Sequence, residues 1–108
     1  MGIEERAATL GKRSIKTTAK QQGIRLAVSM VDLTTLEGSD TAGKVRHLCA
    51  KGVCPAPELP EVPSCAAVCV YPSLVSVTRE ALAGSGVKTA SVATAFPSGQ
   101  ASLEVKLR

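Results

Sequence analysis

The segment 65–71 is apolar at every position, and this constrains the fold more than any other feature of the chain. Side chains along a strand alternate between its two faces. One face would carry Cys65, Ala67, Cys69 and Tyr71, and the other Ala66, Val68 and Val70. A strand that is apolar on both faces is typical of a parallel sheet covered on both sides. The segment therefore predicts an α/β fold.

Helical and strand patterns alternate along the rest of the chain. A helical extension over 1–28 precedes three strand–helix units in 29–108, with strands predicted at 29–33, 65–71 and 87–96. The first of these helices has candidate N-caps at Ser39 and Asp40 and is expected to stop at Gly52. The others follow Pro72, ending near Gly84 and Gly86, and Pro97-Ser98-Gly99. This alternation predicts a parallel sheet with right-handed crossovers.

The predicted sheet has no protected edge. Three parallel strands leave two edges unpaired, and the last helical pattern reaches Arg108 without a stop signal. We therefore expect the chain to be the front part of a larger α/β protein.

Charge and composition limit the classes of partner. With 2% aromatic residues, the chain has almost nothing to stack on bases, despite a net charge of +4. The first 25 residues hold two acidic residues and six basic ones: Arg6, Lys12, Arg13, Lys16, Lys20 and Arg25. A nucleic-acid arm and the solvated face of a surface helix share this pattern. Because no aromatic residues are interleaved, we favour the solvated face and expect no nucleic-acid partner.

Targeting signals are not evident. The first 25 residues lack an apolar h-region, and the most apolar stretch, 66–77, is interrupted by Pro72 and is too short to span a bilayer. We therefore expect a cytoplasmic protein with no membrane partner.

The four cysteines fit neither a zinc site nor a disulfide framework well. Cys49 closes a helical pattern, Cys54 precedes Pro55, and Cys65 and Cys69 bracket a strand segment, whereas zinc ligands come in close pairs on tight turns. Disulfides are rare in the cytoplasm. We expect no metal, and free cysteines that behave as small buried hydrophobic residues.

Short motifs exclude several kinds of site. Neither glycine-rich phosphate loop occurs, and no G-x-S-x-G is present. The only histidine, His47, falls within a predicted helix, which excludes a serine or cysteine triad within this chain. The informative residues are those near the carboxyl ends of the predicted strands, where parallel α/β folds bind ligands.

Those strand ends resemble the deoxyribose-phosphate aldolase family. The resemblance rests on 31–36 (Val-Asp-Leu-Thr-Thr-Leu), 66–72 (Ala-Ala-Val-Cys-Val-Tyr-Pro) and 92–100 (Val-Ala-Thr-Ala-Phe-Pro-Ser-Gly-Gln), which occur in the family's order at nearly its spacing. It extends over roughly residues 12–108. Each motif alone is weak, but together they are highly specific.

The resemblance implies a TIM (β/α)8 barrel and a class I aldolase without a cofactor. Such enzymes reversibly cleave 2-deoxy-D-ribose 5-phosphate to acetaldehyde and D-glyceraldehyde 3-phosphate through a lysine Schiff base. By the family's pattern, Asp32 supports the catalytic lysine network and the substrate hydroxyl, Thr34 lies near the substrate, and Cys69 lines the pocket. For Asp32 the alternative is a helix or loop cap, and for Cys69 it is a core thiol.

The chain departs from the family because it lacks the Schiff-base lysine, the second lysine, the proton-relay aspartate and the glycine-rich phosphate site. Lys88 begins a predicted strand at its amino end, and the other lysines lie in predicted helices or loops. We therefore expect the 108 residues alone to be inactive, with a phosphosugar as the substrate of a larger enzyme whose assembly as a homo-oligomer is left open. The rival reading is a finished, basic, non-catalytic binding module derived from the barrel.

Overall fold

Helices and short strands alternate in the computed structural model, which describes residues 2–14 and 16–108. The elements are α1 (Ile3–Gly11), α2 (Thr17–Ser29), β1 (Asp32–Thr34), α3 (Ala42–Val53), β2 (Ala67–Val70), a 3₁₀ turn (Pro72–Leu74), α4 (Val75–Ala81), β3 (Lys88–Ser91) and α5 (Leu103–Lys106). Within these described residues, none of the helices has the length and apolar character needed to cross a membrane.

The three strands form one parallel sheet in the order β1-β2-β3. Asp32, Ala67 and Lys88 occupy one row of the register, and Thr34, Cys69 and Ala90 occupy the row two residues further along. The α/β class and the parallel order are confirmed. Closure into a barrel stays a prediction.

The core lies between one face of the sheet and the helices α3 and α4. Its buried members are Val45 and Cys49 from α3, Val68 and Val70 from β2, and Leu82 and Val87 from the segment between α4 and β3. β-branched side chains suit a pleated surface because their restricted rotamers pack well against it. We call the other side of the sheet, which carries Asp32, Thr34 and Cys69, the open face.

Gly52 has a different role from the predicted helix stop. The helix α3 continues to Val53, and Gly52 is buried inside its last turn. A Cβ atom at Gly52 would lie 3.0 Å from Val68 Cγ2. The glycine therefore allows α3 to approach β2 closely, and the prediction that it ends the helix was wrong by one residue.

The first predicted strand, 29–33, is wrong at both ends. The helix α2 extends to Ser29, whose hydroxyl donates to Leu26 O at 2.6 Å, and the N–H groups of Met30 and Val31 donate to carbonyls of the last helical turn. These hydrogen bonds engage backbone N–H groups of residues that were predicted to lie in a strand. The strand β1 begins only at Asp32.

The third predicted strand, 87–96, is too long. The strand β3 ends at Ser91, and Thr94 and Ala95 have φ values of 59° and 58°. These left-handed conformations cannot continue a strand. The strand predicted over 65–71 is also shorter in the structure, where β2 spans Ala67–Val70. The predicted last helix is the short helix α5, which has Ser102 as its N-cap.

The two N-terminal helices contribute nothing to this core. No residue of α1 or α2 is buried, and Ile3 is 90% exposed. The predicted helical character of this region is confirmed. Its separation from 29–108 as an extension of the barrel stays a prediction.

Candidate functional site

The strand register brings the three predicted site residues together on the open face. Thr34 and Cys69 are direct partners on neighbouring strands, and Asp32 lies two residues before Thr34 on the same side of β1. Val68 and Val70 face the core instead, so the predicted alternation along β2 is confirmed.

Asp32 lies at the opposite end of its strand from the one predicted. It is the first residue of β1, not the last, because α2 takes up the residues before it. Its side chain is exposed, so it does not need the buried partner that a carboxylate inside a covered strand would require. The carboxyl end of β1 is formed by Thr34, whose hydroxyl donates to Asp32 O at 3.1 Å.

Cys69 is the buried member of the three, at 7% exposure. Burial raises the pKa of the Cys69 thiol above its ordinary value, and the negative charge of Asp32 raises it further, while the Thr34 hydroxyl acts in the opposite direction. The thiolate, not the thiol, is the nucleophilic form. Cys69 is thus a neutral, weakly reactive thiol at neutral pH, which suits a residue that lines a pocket.

Lys88 shares the open face with these residues. The register places it in the row of Asp32, with the small side chain of Ala67 between them. The prediction that Lys88 begins its strand is confirmed. Because Asp32 also begins its strand, both charged residues lie at the amino end of the sheet.

A second polar group, which sequence reasoning missed, lies in the loop between β1 and α3. The Asp40 carboxylate accepts hydrogen bonds from Thr35 Oγ1 at 2.9 and 3.0 Å and from Glu37 N at 3.0 Å, and it pairs with Lys44 Nζ at 2.8 Å. Lys44 also contacts Glu37 at 2.6 Å.

The helix N-cap is Thr41, so Ser39 and Asp40, the predicted caps, do not cap α3. The four-residue spacing of Asp40 and Lys44 in the sequence was the one signal that could have predicted their ion pair.

Opposing effects act on the Asp40 carboxyl, whose side chain is 1% exposed. Burial would raise its pKa, but the hydrogen bonds from Lys44, Thr35 and the Glu37 N–H outweigh burial and lower the pKa below its ordinary value. The same contacts raise the pKa of Lys44, chiefly through Asp40 and then through Glu37. The group fixes the loop that follows Thr34 and Thr35.

The segment after β3 folds back over the end of β2. The Tyr71 hydroxyl forms a hydrogen bond with the Ser98 hydroxyl and accepts another from Ser98 N at 2.9 Å. Ala95, in the same turn, is buried. A cleft of about 280 Å³ opens beside it, lined by Pro72, Val92, Thr94, Val105 and Lys106 among others. The predicted strand-end motif at 95–99 therefore lies at the carboxyl edge of the sheet, as a turn.

The cysteines follow the expected pattern with one exception. All four are free, and Cys49, Cys65 and Cys69 are buried, whereas Cys54 is exposed. Burial raises the pKa of the Cys49 and Cys65 thiols. In the described part of the chain, no group of three or more His, Cys, Asp and Glu side chains is arranged to hold a metal ion.

Comparison with known proteins supports the resemblance. The chain is 41% identical over 106 residues to a deoxyribose-phosphate aldolase of Mus musculus, 38% to that of Bos taurus and 37% to that of Homo sapiens. Each match includes 89% of this chain but 33% of the relative, so the chain spans about a third of the length of the curated relatives it matches. No family model matches the chain.

Proposed function

We propose that this homologue of the deoxyribose-phosphate aldolases forms part of the substrate pocket of such an enzyme. The reaction is the reversible cleavage of 2-deoxy-D-ribose 5-phosphate to acetaldehyde and D-glyceraldehyde 3-phosphate. The neighbouring positions of Asp32, Thr34 and Cys69 on the open face support the proposal, in a chain whose relatives are aldolases.

In the proposed mechanism, a lysine amine condenses with the substrate carbonyl and releases water. The resulting iminium cation accepts the electron pair of the breaking carbon–carbon bond. Asp32 begins the three-residue strand β1, two residues before Thr34 on the same face, so its side chain would still face the pocket. There Asp32 would hold the lysine network and accept a hydrogen bond from the substrate hydroxyl, Thr34 would donate to the substrate, and Cys69 would line the aldehyde end. The lysine would come from strands outside these 108 residues. The reaction would serve deoxyribonucleotide catabolism in the cytoplasm, in an enzyme that could be a homo-oligomer.

A chimera tests these roles. This chain would replace the matched third of the Mus musculus relative, with which it shares 41% identity. We expect the chimera to cleave 2-deoxyribose 5-phosphate, and we expect Asp32→Asn to lower its kcat/KM by about 100-fold or more because a supporting carboxylate is lost. Cys69→Ala should cost about tenfold or less, since a neutral thiol lends no charge to the transition state.

Glu61→Gln is the matched control in the same chimera. Glu61 is a half-exposed carboxylate of the loop before β2, 3.9 Å from Arg25, and its removal should leave kcat/KM within about twofold. An inactive parent chimera, or an Asp32→Asn variant as active as the control, would contradict the proposal.

The 108 residues alone should be inactive. Borohydride reduces an imine to a stable amine, so it traps a lysine adduct in any chain that forms one. We expect no adduct and no turnover when the chain is mixed with 2-deoxyribose 5-phosphate and borohydride. A trapped lysine together with turnover would overturn this expectation.

The rival proposal, a finished non-catalytic module, predicts different folding behaviour. A piece of a larger sheet has two unpaired parallel edges and should aggregate or unfold without a cooperative transition. A finished module should unfold cooperatively as a monomer or a defined oligomer. Thermal unfolding followed by circular dichroism, with sedimentation at several concentrations, separates the two.

A further inference from the structure

The positive charge of the chain is confined to one segment. Between Arg6 and Val31 there are six basic residues and no acidic one. The rest of the chain contains seven of the thirteen basic residues and all nine acidic residues, so the net charge of +4 comes entirely from this stretch. We call residues 6–25 the basic segment.

The structure leaves the basic segment uncovered. Arg6, Lys12, Arg13, Lys16 and Lys20 are exposed, and neither α1 nor α2 buries a residue. Among the described residues of the segment, only Arg25 has an acidic partner within 4.0 Å, the half-exposed Glu61 at 3.9 Å. The first turn of α2 has no acidic residue. Five cationic side chains of this segment therefore have no acidic partner within 4.0 Å among the described residues.

The shortage of aromatic residues restricts the partner but does not exclude a polyanion. Stacking on bases needs aromatic platforms, which this segment lacks. Contacts to the phosphate backbone need only Lys, Arg and small polar donors, and they carry most of the affinity of non-specific binding. The segment supplies both, since Thr9, Thr17 and Thr18 lie among its cations.

A membrane surface fits less well. Interfacial helices present a broad apolar face, usually with Trp, Phe or Leu. The single Phe and the single Tyr of this chain, Phe96 and Tyr71, lie outside the segment, and its cations cluster around the break between α1 and α2. We propose that the basic segment binds the phosphate backbone of a nucleic-acid duplex without reading its sequence.

This proposal revises the expectation of no nucleic-acid partner. That expectation rested on the absence of interleaved aromatic residues, which contacts to the phosphate backbone do not need. In the described chain, α1 and α2 bury no residue, although Arg25, Val28 and Ser29 of α2 are half-buried. The proposal does not depend on aldolase activity.

Fluorescence anisotropy with a labelled random-sequence duplex of about 20 base pairs tests the proposal. With five free cations, the slope of log affinity against log salt should be about −4.5, so affinity should fall about 500-fold between about 50 and about 200 mM salt. Replacement of Lys12, Arg13, Lys16 and Lys20 by Gln should weaken binding at low salt by more than about tenfold and reduce the slope to about −1.

A variant of equal charge is the matched control. Arg46, Lys51, Arg79 and Lys106 are exposed cations outside the basic segment, and their replacement by Gln also lowers the formal net charge to zero. This control should bind within about threefold of the parent, because net charge alone is a weaker factor than local contacts. Circular dichroism verifies that both variants keep their helices.

Three outcomes would overturn the proposal: no binding at low salt, equal loss in both variants, or binding to phosphatidylserine vesicles without binding to the duplex. The aldolase proposal would be untouched by each of them, since its test uses a different substrate and different residues.

Discussion

The N-terminal helices and the helices that flank the sheet have very different surroundings. The helix α2 has 13 residues and buries none of them, whereas α3 has 12 residues and buries Val45, Cys49 and Gly52. Isolated helices of this length are marginal in water, and most helical stability in proteins comes from packing of an apolar face. We infer that α3 is held by the core and that α2 depends on its own propensity.

The largest expected difference between the two regions concerns apolar side chains. Val68 of β2 is completely buried between the sheet and the helices. Val68→Ala should therefore lower the free energy of unfolding by about 2 kcal/mol through lost burial and the resulting cavity. Ile3→Ala, in the exposed helix α1, should change it by less than about 0.5 kcal/mol. Urea unfolding of both variants in the chimera described above, which also carries the substitutions that follow, measures this, and equal losses would show that α1 packs on the core.

Two glycines of α3 sharpen the comparison within a single helix. Gly52→Ala should lower the free energy of unfolding by about 1–2 kcal/mol, because its new methyl group would lie 3.0 Å from Val68 Cγ2. At Gly43 the nearest atom lies 3.9 Å away, so Gly43→Ala should raise that free energy by about 0.5 kcal/mol through better helix propensity. Urea unfolding distinguishes the two, and a neutral Gly52→Ala would contradict the close approach of α3 to β2.

The loop between β1 and α3 should respond to acid. The pKa of Asp40 is lowered in the folded chain, so its contribution to stability is present above its ordinary value of 3.8 and is lost as the pH falls through the lower folded value. Asp40→Asn should remove this acid-dependent loss and destabilise the chain at neutral pH. Unfolding between about pH 2 and 6 checks it, with Glu58→Gln, in an exposed loop, as the control. Parallel pH profiles for parent and Asp40→Asn would contradict the assignment.

Sequence reasoning predicted the features that depend on periodicity. The apolar alternation of β2, the burial of Cys49 and the parallel sheet follow from patterns that each element carries in its own residues. Three of the four cysteines are free and buried, as predicted.

The features that sequence reasoning missed depend on tertiary contacts. The end of α2 at Ser29, and hence the place of Asp32 at the start of β1, depends on hydrogen bonds that a propensity scale does not contain. The end of β3 depends on the turn at Thr94 and Ala95, in a segment that Ser98 joins to Tyr71, a distant residue in the chain. The network around Asp40 was taken for a helix cap because Asp is also a frequent N-cap.

The smallest expected effect tests whether α2 is independent of the core. Nothing lies within 4 Å of a Cβ atom built at Gly23, so Gly23→Ala should stabilise α2 by about 0.5–1 kcal/mol. If α2 does not pack on the core, amide hydrogen exchange should slow in α2, while the exchange of α3 and the urea midpoint of unfolding stay unchanged. The local opening of α2 is then separate from global unfolding. Slower exchange in α3, or a higher midpoint, would show that α2 is coupled to the core, and the contrast between the two regions would then be one of degree.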